Sequence, residues 1–268
     1  MFLAAAAALP ARPAGLKLGV MDGVLRQSSK PEALGLAKSF GMDGLQVTIG
    51  RPGPAGKLAL DDAELQARYV AESRRQQIPI DATYIDILHV NCLKNDALAR
   101  QWISRGIEIT RALDARVLMT VFFGKCSLTG REEMDAAAAG FRELAPLAER
   151  AGVILGFENL LNAEDNMRVM DQVASPAFKI YYDVGNATNM VGVDAPGEIR
   201  KLGRERICQF HFKDKGYLGE GKVDFPAVLR ALADIGYRGY AVLETSSPSG
   251  DVEADLRRNL AYLRRTAG

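Results

Sequence analysis

The sequence predicts a single closed (β/α)8 barrel with a parallel eight-stranded wall, on three observations. Short apolar or β-branched runs alternate with longer helical stretches eight times along the chain. Four of the runs end in a side chain of metal-ligand type, Glu158, Asp183, His211 and Glu244, spaced at roughly one strand–helix unit. The 268 residues, 48% hydrophobic, fill one large core and leave no room for a second full domain. Eight units fit a closed barrel better than an open doubly wound sheet, where fewer units or an antiparallel edge are expected.

Taken in order, the first strand is expected at Leu16–Val20, followed by a helix over Pro31–Phe40 that Lys30-Pro31-Glu32 opens and Gly41 stops. A second strand at Gly44–Ile49 leads through the Gly/Pro-rich loop 50–56 to a helix over Asp61–Gln77. Ile78–Tyr84 and Asp96–Leu113 form the third unit. Val117–Phe122 begins the fourth, whose helix, Arg131–Ala151, follows Thr129-Gly130 and ends at Gly152. The remaining strands are Val153–Glu158, Phe178–Asp183, Arg206–His211 and Gly239–Glu244. Their helices are Asp165–Val173, Pro196–Leu202, Phe225–Ile235 with its stop at Gly236, and Val252–Arg265. The loop Ser246–Gly250, directly after Glu244, is either a lid over the mouth or an ordinary surface connection.

The barrel is expected over residues 15–268. Residues 1–14 carry an alanine-rich apolar run, Phe2 to Leu9, then Pro10, Ala11 and Arg12, too short to span a bilayer. They are expected to be the remnant of an export signal without its basic region, placing the protein in the periplasm or outside the cell. The alternative is a floor-capping helix on a cytoplasmic protein.

Charge is almost balanced, 34 Lys plus Arg against 33 Asp plus Glu, so no global field favours nucleic acid or an acidic membrane surface. A small, mostly neutral partner is easier to accept. Cys92, Cys126 and Cys208 lie far apart and form no CxxC pair, so neither a zinc knuckle nor a dithiol redox site is signalled. At least one thiol is unpaired within the chain, which weighs slightly against export. No GxGxxG, P-loop or GxSxG is present to support a dinucleotide, NTP or serine-hydrolase reading.

In a parallel barrel every strand end opens at the same mouth, so the four ligand-type side chains converge there. Singly each has a plain structural explanation, such as a loop contact, a helix cap or a satisfied core histidine. Together they would repel or lie unpaired without a cation. Hard oxygen donors plus one imidazole suit Mn2+ first, and also Mg2+, Co2+ or Zn2+. The sequence therefore reads as a metal-dependent enzyme.

A resemblance rests on Gly156-Phe-Glu158-Asn, Tyr182-Asp183-Val-Gly-Asn186, Phe210-His211-Phe-Lys213-Asp214 and Gly219-Glu-Gly-Lys-Val-Asp224-Phe. With Gly41-Met-Asp-Gly44-Leu-Gln46 and Gly236-Tyr-Arg-Gly239-Tyr-Ala-Val-Leu-Glu244, the chain resembles the xylose-isomerase-like TIM barrel superfamily, in its sugar phosphate isomerase/epimerase branch. The resemblance covers nearly the whole chain and is strongest from Val153 onward. It implies that Glu158, Asp183, His211 and Glu244 hold one divalent ion. It also implies that Glu158 and Glu244 transfer protons on opposite faces of a metal-bound cis-enediolate derived from a ketose or keto sugar.

Asn186 stands where many members carry histidine, and could still bond a sugar hydroxyl. Glu164 matches a sugar-contacting position of the ketose epimerases and equally suits a charge at a helix N-terminus. Lys213 and Asp214 are expected either to bind substrate oxygens or to pair with each other. His89 faces the mouth as a substrate contact or a solvated ring, Trp102 is expected in the core, and Asn189 and Lys125 are minor pocket candidates. The implied partner is a small carbohydrate; nucleic acid and a membrane span are not expected, and homo-oligomerisation is compatible with the reading.

Rival functions are weighed by what they require. The superfamily's abasic-site DNA endonuclease needs several imidazoles and a basic groove, whereas this chain has two histidines and a charge of +1. Hydride-shift isomerisation usually employs two metals and a further histidine base. A lyase or dehydratase acting on a 3-keto sugar or inosose is the main alternative, because proton abstraction beside a carbonyl begins both reactions. A non-catalytic sugar-binding barrel would leave the candidate bases and ligands without a purpose.

Overall fold

In a computed structural model describing residues 15–54 and 56–266, the chain closes into a parallel eight-stranded barrel wrapped by helices. The first half runs β1 (Lys17–Met21), α1 (Ala33–Ser39), β2 (Gly44–Thr48), α2 (Ala63–Gln76), β3 (Ile80–Tyr84), α3 (Ala97–Ala112), β4 (Val117–Val121) and α4 (Arg131–Ala151). The second half runs β5 (Ile154–Glu158), α5 (Ala163–Val173), β6 (Phe178–Asp183), the single turn α6 (Val184–Asn186), α7 (Ala195–Leu202), β7 (Ile207–Phe212), α8 (Phe225–Asp234), β8 (Tyr240–Leu243) and α9 (Val252–Thr266). Each strand pairs in parallel with the next, and β8 pairs with β1 to complete the circle. The export-signal or floor-cap segment lies outside the described residues. Among the described residues no helix is long and apolar enough to cross a membrane.

Local signals explain most of the boundaries. The expected stops Gly41, Gly152 and Gly236 all adopt positive φ, of 76°, 68° and 65°, which glycine accepts without a Cβ clash. Asp62, Asn162 and Asp224 cap their helices by accepting from the backbone N–H three residues on. The Asn162 cap starts α5 at Ala163, two residues before the expected start. Strand ends differ by a residue where ligands sit: His211 is penultimate in β7, and Glu244 lies one residue beyond β8.

Apolar side chains fill the layer between barrel and helices. Phe141 on α4 meets Phe122, Phe157 and Phe178 at ring-centroid distances of 5.6, 5.6 and 4.5 Å. Each ring buried to this degree contributes about 2 to 3 kcal/mol. The barrel interior is more polar. Asp81 of β3 is buried within it, and desolvation holds its carboxyl well above the usual range. A Cβ at Gly19 or Gly44 would collide with that carboxyl, so both positions are confined to glycine.

Register delivers the mouth. Asp183 lies opposite His211 across the β6–β7 ladder, and Val121 lies opposite Glu158 across β4–β5. One step beyond the pair Phe212–Leu243 come Lys213 and Glu244, side by side at the rim.

Candidate metal centre and active site

Glu158, Asp183, His211 and Glu244 each present one ligand atom, and these atoms all lie within 4.8 Å of one another. His211 Nδ1 is 2.9 Å from Glu158 Oε1, 3.1 Å from Glu244 Oε2 and 3.9 Å from Asp183 Oδ2. The other ring nitrogen, Nε2, is 2.8 Å from the buried Gln46 Oε1. Because an amide oxygen only accepts, Nε2 carries the proton and donates, leaving Nδ1 to face the carboxylates. Gln46 is set in turn by Tyr181 and Met119, toward which its Nε2 lies at 3.3 and 3.4 Å. Sequence reasoning placed Gln46 within a motif but gave it no role; its signal was an amide inside an otherwise apolar strand.

Lys213 completes the cluster. Its ammonium lies 2.7 Å from both Asp183 Oδ2 and Glu244 Oε2, so it pairs with two ligand carboxylates and not with Asp214. Asp214 instead braces its own loop, accepting from Lys215 N, Lys222 N, Val223 N and Asn189 Nδ2. The turn after β6 must pass close to Lys213. A Cβ at Gly185 would sit 2.5 Å from Lys213 Cγ and 2.7 Å from its carbonyl oxygen, which explains glycine in the Asp-Val-Gly-Asn motif.

The electrostatics of this group fit a divalent cation. Burial pushes the Asp183 carboxyl up to about 8, with Lys213 opposing and Glu244 and Glu158 adding repulsion. Burial would lower the His211 imidazole, yet Glu244 and Glu158 outweigh it and hold the ring up at about 10. Burial also disfavours the Glu244 anion, but His211 and Lys213 pull that carboxyl far below the usual range. Three carboxyl groups thus converge in a largely buried site on one imidazole and one ammonium, and without a further cation the cluster must retain protons. Oxygen-rich donors with one imidazole are those of Mn2+ or Mg2+ sites and also serve Co2+ and Zn2+.

The cluster forms one wall of a pocket of about 240 Å³. Glu158, Asn186, Lys213 and Glu244 line its polar side, and Met119, Val121, Phe123 and Met190 face it with Tyr84 and His89. Asn186 is 3% exposed, and its side-chain Nδ2 has no hydrogen-bond partner among the described residues, leaving a buried donor at the pocket. Its backbone N–H donates to Asp183 Oδ1 at 2.9 Å. Glu164 is not brought to this mouth. Its side chain is 77% exposed and pairs with Lys201 at 2.7 Å, so the structure favours the helix N-terminal role. Lys125 is exposed and, like Asn189, does not line the pocket. Trp102 packs at the edge of the core and donates to Asn91 Oδ1.

Two ties fix the surrounding loops. Asp255 on α9 accepts from Ser247 Oγ, Ser249 N, Ser249 Oγ and Tyr217 OH, which fastens the Ser246–Gly250 loop and the loop after β7 to the same helix. The loop expected as a lid or a plain connection is held as the latter. Cys92 and Cys126, for which the sequence signalled no pairing, form a disulfide between the loops after β3 and β4, and Cys208 is the unpaired thiol expected among the three.

The fold and mouth define a class of protein. Residues 34–266 match the family model described as xylose isomerase-like TIM barrel, and the chain belongs to that family. Among its relatives is the 2-epi-5-epi-valiolone 7-phosphate 2-epimerase of Actinoplanes sp., 27% identical over 244 residues, which cover 88% of this chain and 89% of the relative. The 3-oxo-isoapionate decarboxylase of Pectobacterium atrosepticum is 32% identical over 131 residues, 48% of this chain and 46% of that one. A solved L-ribulose 3-epimerase superimposes with a TM-score of 0.77 at 20% identity, covering 94% of each chain; that likeness concerns the fold.

Proposed function

We propose that this chain is a divalent-metal-dependent sugar epimerase that moves the proton on the carbon beside a carbonyl. The observation that carries the reading is that Glu158 and Glu244, from β5 and from beyond β8, both line one pocket and belong, with the buried Asp183 and His211, to a group able to hold a metal ion. An epimerase activity agrees with the name of the Actinoplanes relative aligned over most of the chain.

Glu158, Asp183, His211 and Glu244 would hold the ion, with Mn2+ the preferred candidate. Bound there, a divalent cation supplies Lewis-acid polarisation of a carbonyl, which acidifies the neighbouring C–H. The chain's own residues do the rest. Lys213 and His211 hold Glu244 as the carboxylate, the protonation state in which it can accept a proton from carbon. One glutamate, entering as the carboxylate, removes the proton from carbon, the electron pair moves into an enediolate of the sugar, and the other glutamate, entering as the carboxylic acid, gives its proton to the opposite face; exchange with solvent restores both before the next turnover. The free Nδ2 of Asn186 is a donor for an oxygen that gains charge in this step, while Lys213 stays paired with Asp183 and Glu244. Met119, Val121 and Phe123 supply an apolar face against which the carbon side of a sugar can pack.

The second reading is a lyase on a 3-keto sugar or similar substrate, favoured by the resemblance of half the chain to a decarboxylase. All three reactions pass through an enediolate: epimerisation reprotonates it, dehydration expels hydroxide from it as water, and decarboxylation forms it as the C–C bonding pair is left behind by CO2. We also propose that the protein works in an oxidising compartment outside the cytoplasm, a reading the Cys92–Cys126 disulfide supports.

The test is metal-loaded protein incubated in D2O with a panel of ketoses, 3-keto glycosides and inososes. Deuterium at the carbon beside the carbonyl, with inversion and no loss of mass, supports epimerisation. Loss of water selects the lyase, and product without solvent deuterium removes proton transfer altogether.

A further inference from the structure

The pocket wall supplied by β3 and β4 is built around His89. Arg51 is hydrogen-bonded to Asp86, whose other oxygen lies 3.1 Å from Tyr84 OH, and the same hydroxyl lies 2.8 Å from His89 Nε2. Burial pushes the Asp86 carboxyl up, but Arg51 and Tyr84 overcome that and hold it below its usual range, as an anion that can only accept. Tyr84 has one hydroxyl proton and donates it to Asp86. Its oxygen is then the acceptor for His89, so the neutral imidazole carries its proton on Nε2 and a lone pair on Nδ1. His89 Nδ1 makes no hydrogen bond among the described residues.

The ring's orientation is fixed as well as its tautomer. His89 stacks on Phe123 with centroids 5.9 Å apart and planes inclined by 30°. The Cys92–Cys126 disulfide begins three residues beyond His89 and ends three residues beyond Phe123, so it ties together the loops that carry the two stacked rings. Neither tie touches the metal donors. Lys213 is the one Lys or Arg lining the pocket among the described residues, and Asp183 and Glu244 already engage it. Arg51 is engaged by Asp86. An acceptor nitrogen with no uncommitted cation beside it suits a hydroxyl and disfavours a phosphate dianion.

We propose that His89 is a specificity residue that accepts a hydrogen bond through Nδ1 from a hydroxyl of an uncharged sugar, preoriented by Arg51, Asp86, Tyr84, Phe123 and the disulfide. This rests on the sugar-epimerase reading and narrows its substrate class to unphosphorylated sugars. Phosphate esters, such as the substrate named for the Actinoplanes relative, are selected against by this wall.

The chain has two histidines, which makes imidazole 15N NMR a direct test. In Mg2+-loaded protein at pH 8, His89 is expected as the Nε2–H tautomer, and L-ribulose is expected to shift its Nδ1 resonance. L-ribulose 5-phosphate is expected to bind at least about tenfold more weakly. His89→Phe keeps a ring on Phe123 but removes the acceptor, and is expected to weaken L-ribulose binding about tenfold, the effect of one net hydrogen bond, with metal stoichiometry unchanged. Should that variant fail to fold, Tyr84→Phe retains His89 and frees its tautomer, and is expected to weaken binding by a smaller factor. An Nδ1–H tautomer in the native protein, unchanged affinity in His89→Phe, a phosphate ester bound as tightly as the free sugar, or a His89 signal that L-ribulose does not move overturns the proposal. If L-ribulose binds through His89 yet acquires no solvent deuterium, the epimerase reading falls and this one stands. Deuterium uptake with an unmoved His89 signal leaves the epimerase reading standing and overturns the role of His89.

Discussion

Gln46→Met tests whether the metal centre depends on the group that orients its imidazole. Gln46 is fully buried and its Oε1 accepts from His211 Nε2 at 2.8 Å, while methionine has nearly the same length and volume and no comparable acceptor. The substitution therefore removes the acceptor with little cavity. It leaves a buried ring N–H unsatisfied, which costs about 1 to 3 kcal/mol of fold stability, and it frees His211 to rotate or to exchange tautomers. Loss of such an orienting partner typically lowers metal affinity about 10- to 100-fold, equivalent to roughly 1.4 to 2.8 kcal/mol. Competition against a chromophoric chelator measures the affinity, and thermal melts with and without metal separate it from general destabilisation. Gln46→Glu keeps an acceptor and is expected to lose less. Metal affinity in Gln46→Met within twofold of wild type would refute the claim that Gln46 sets the ligand geometry.

Three further outcomes follow from the same site. Glu158→Gln and Glu244→Gln keep an oxygen donor but lose the basic carboxylate, so metal binding should weaken modestly while turnover falls by at least about 10²; wild-type turnover in either variant removes that glutamate from proton transfer. In metal-free protein His211, held up at about 10, and Asp183, raised to about 8, carry protons at neutral pH that the cation must displace, so affinity should rise with pH. Metal addition at pH 7 in weak buffer should release one to two protons per site, and no release contradicts the assignment. Opening the disulfide, which spans a separation of 34 residues, by reduction or by Cys92→Ser should destabilise the fold by about 3 to 4 kcal/mol and raise KM more than it lowers kcat. An unchanged melting temperature and KM would show that the tie is without consequence.

The barrel and its candidate metal donors were legible because both are written in periodic, local patterns. Alternation of apolar runs with helical stretches places eight strands within two residues of their observed bounds, and parallel closure then makes strand ends converge without further information. Glu158 and Asp183 are terminal residues of their strands, so the motif and the mouth are the same fact. Where two physical roles use one residue type at one position, the sequence is ambiguous. Glu164 in the first turn of α5 could meet a sugar or complement the helix dipole, and only the path of that turn, with Lys201 waiting on α7, decides for the surface.

Pairings that cross between units were invisible for a different reason. Cys92 and Cys126 belong to successive β/α loops, and their proximity depends on how far each loop leans over the mouth, which no spacing rule encodes. The same holds for the chain from Arg51 through Asp86 and Tyr84 to His89, which starts after β2 and ends beyond β3. The β2-derived Gln46 reaches His211 across the barrel interior, 165 residues away in sequence. Candidate ligands were found by type at strand ends, whereas the role of Gln46 was missed because an amide in an apolar strand signals a buried polar group but not the partner it serves. If those orienting groups are what distinguishes this barrel from its relatives, substrate choice should respond to the wall of β3 and β4 while metal binding responds to Gln46. The two sets of variants should then leave each other's readout untouched, since among the described residues no hydrogen bond joins His89 to the His211 cluster.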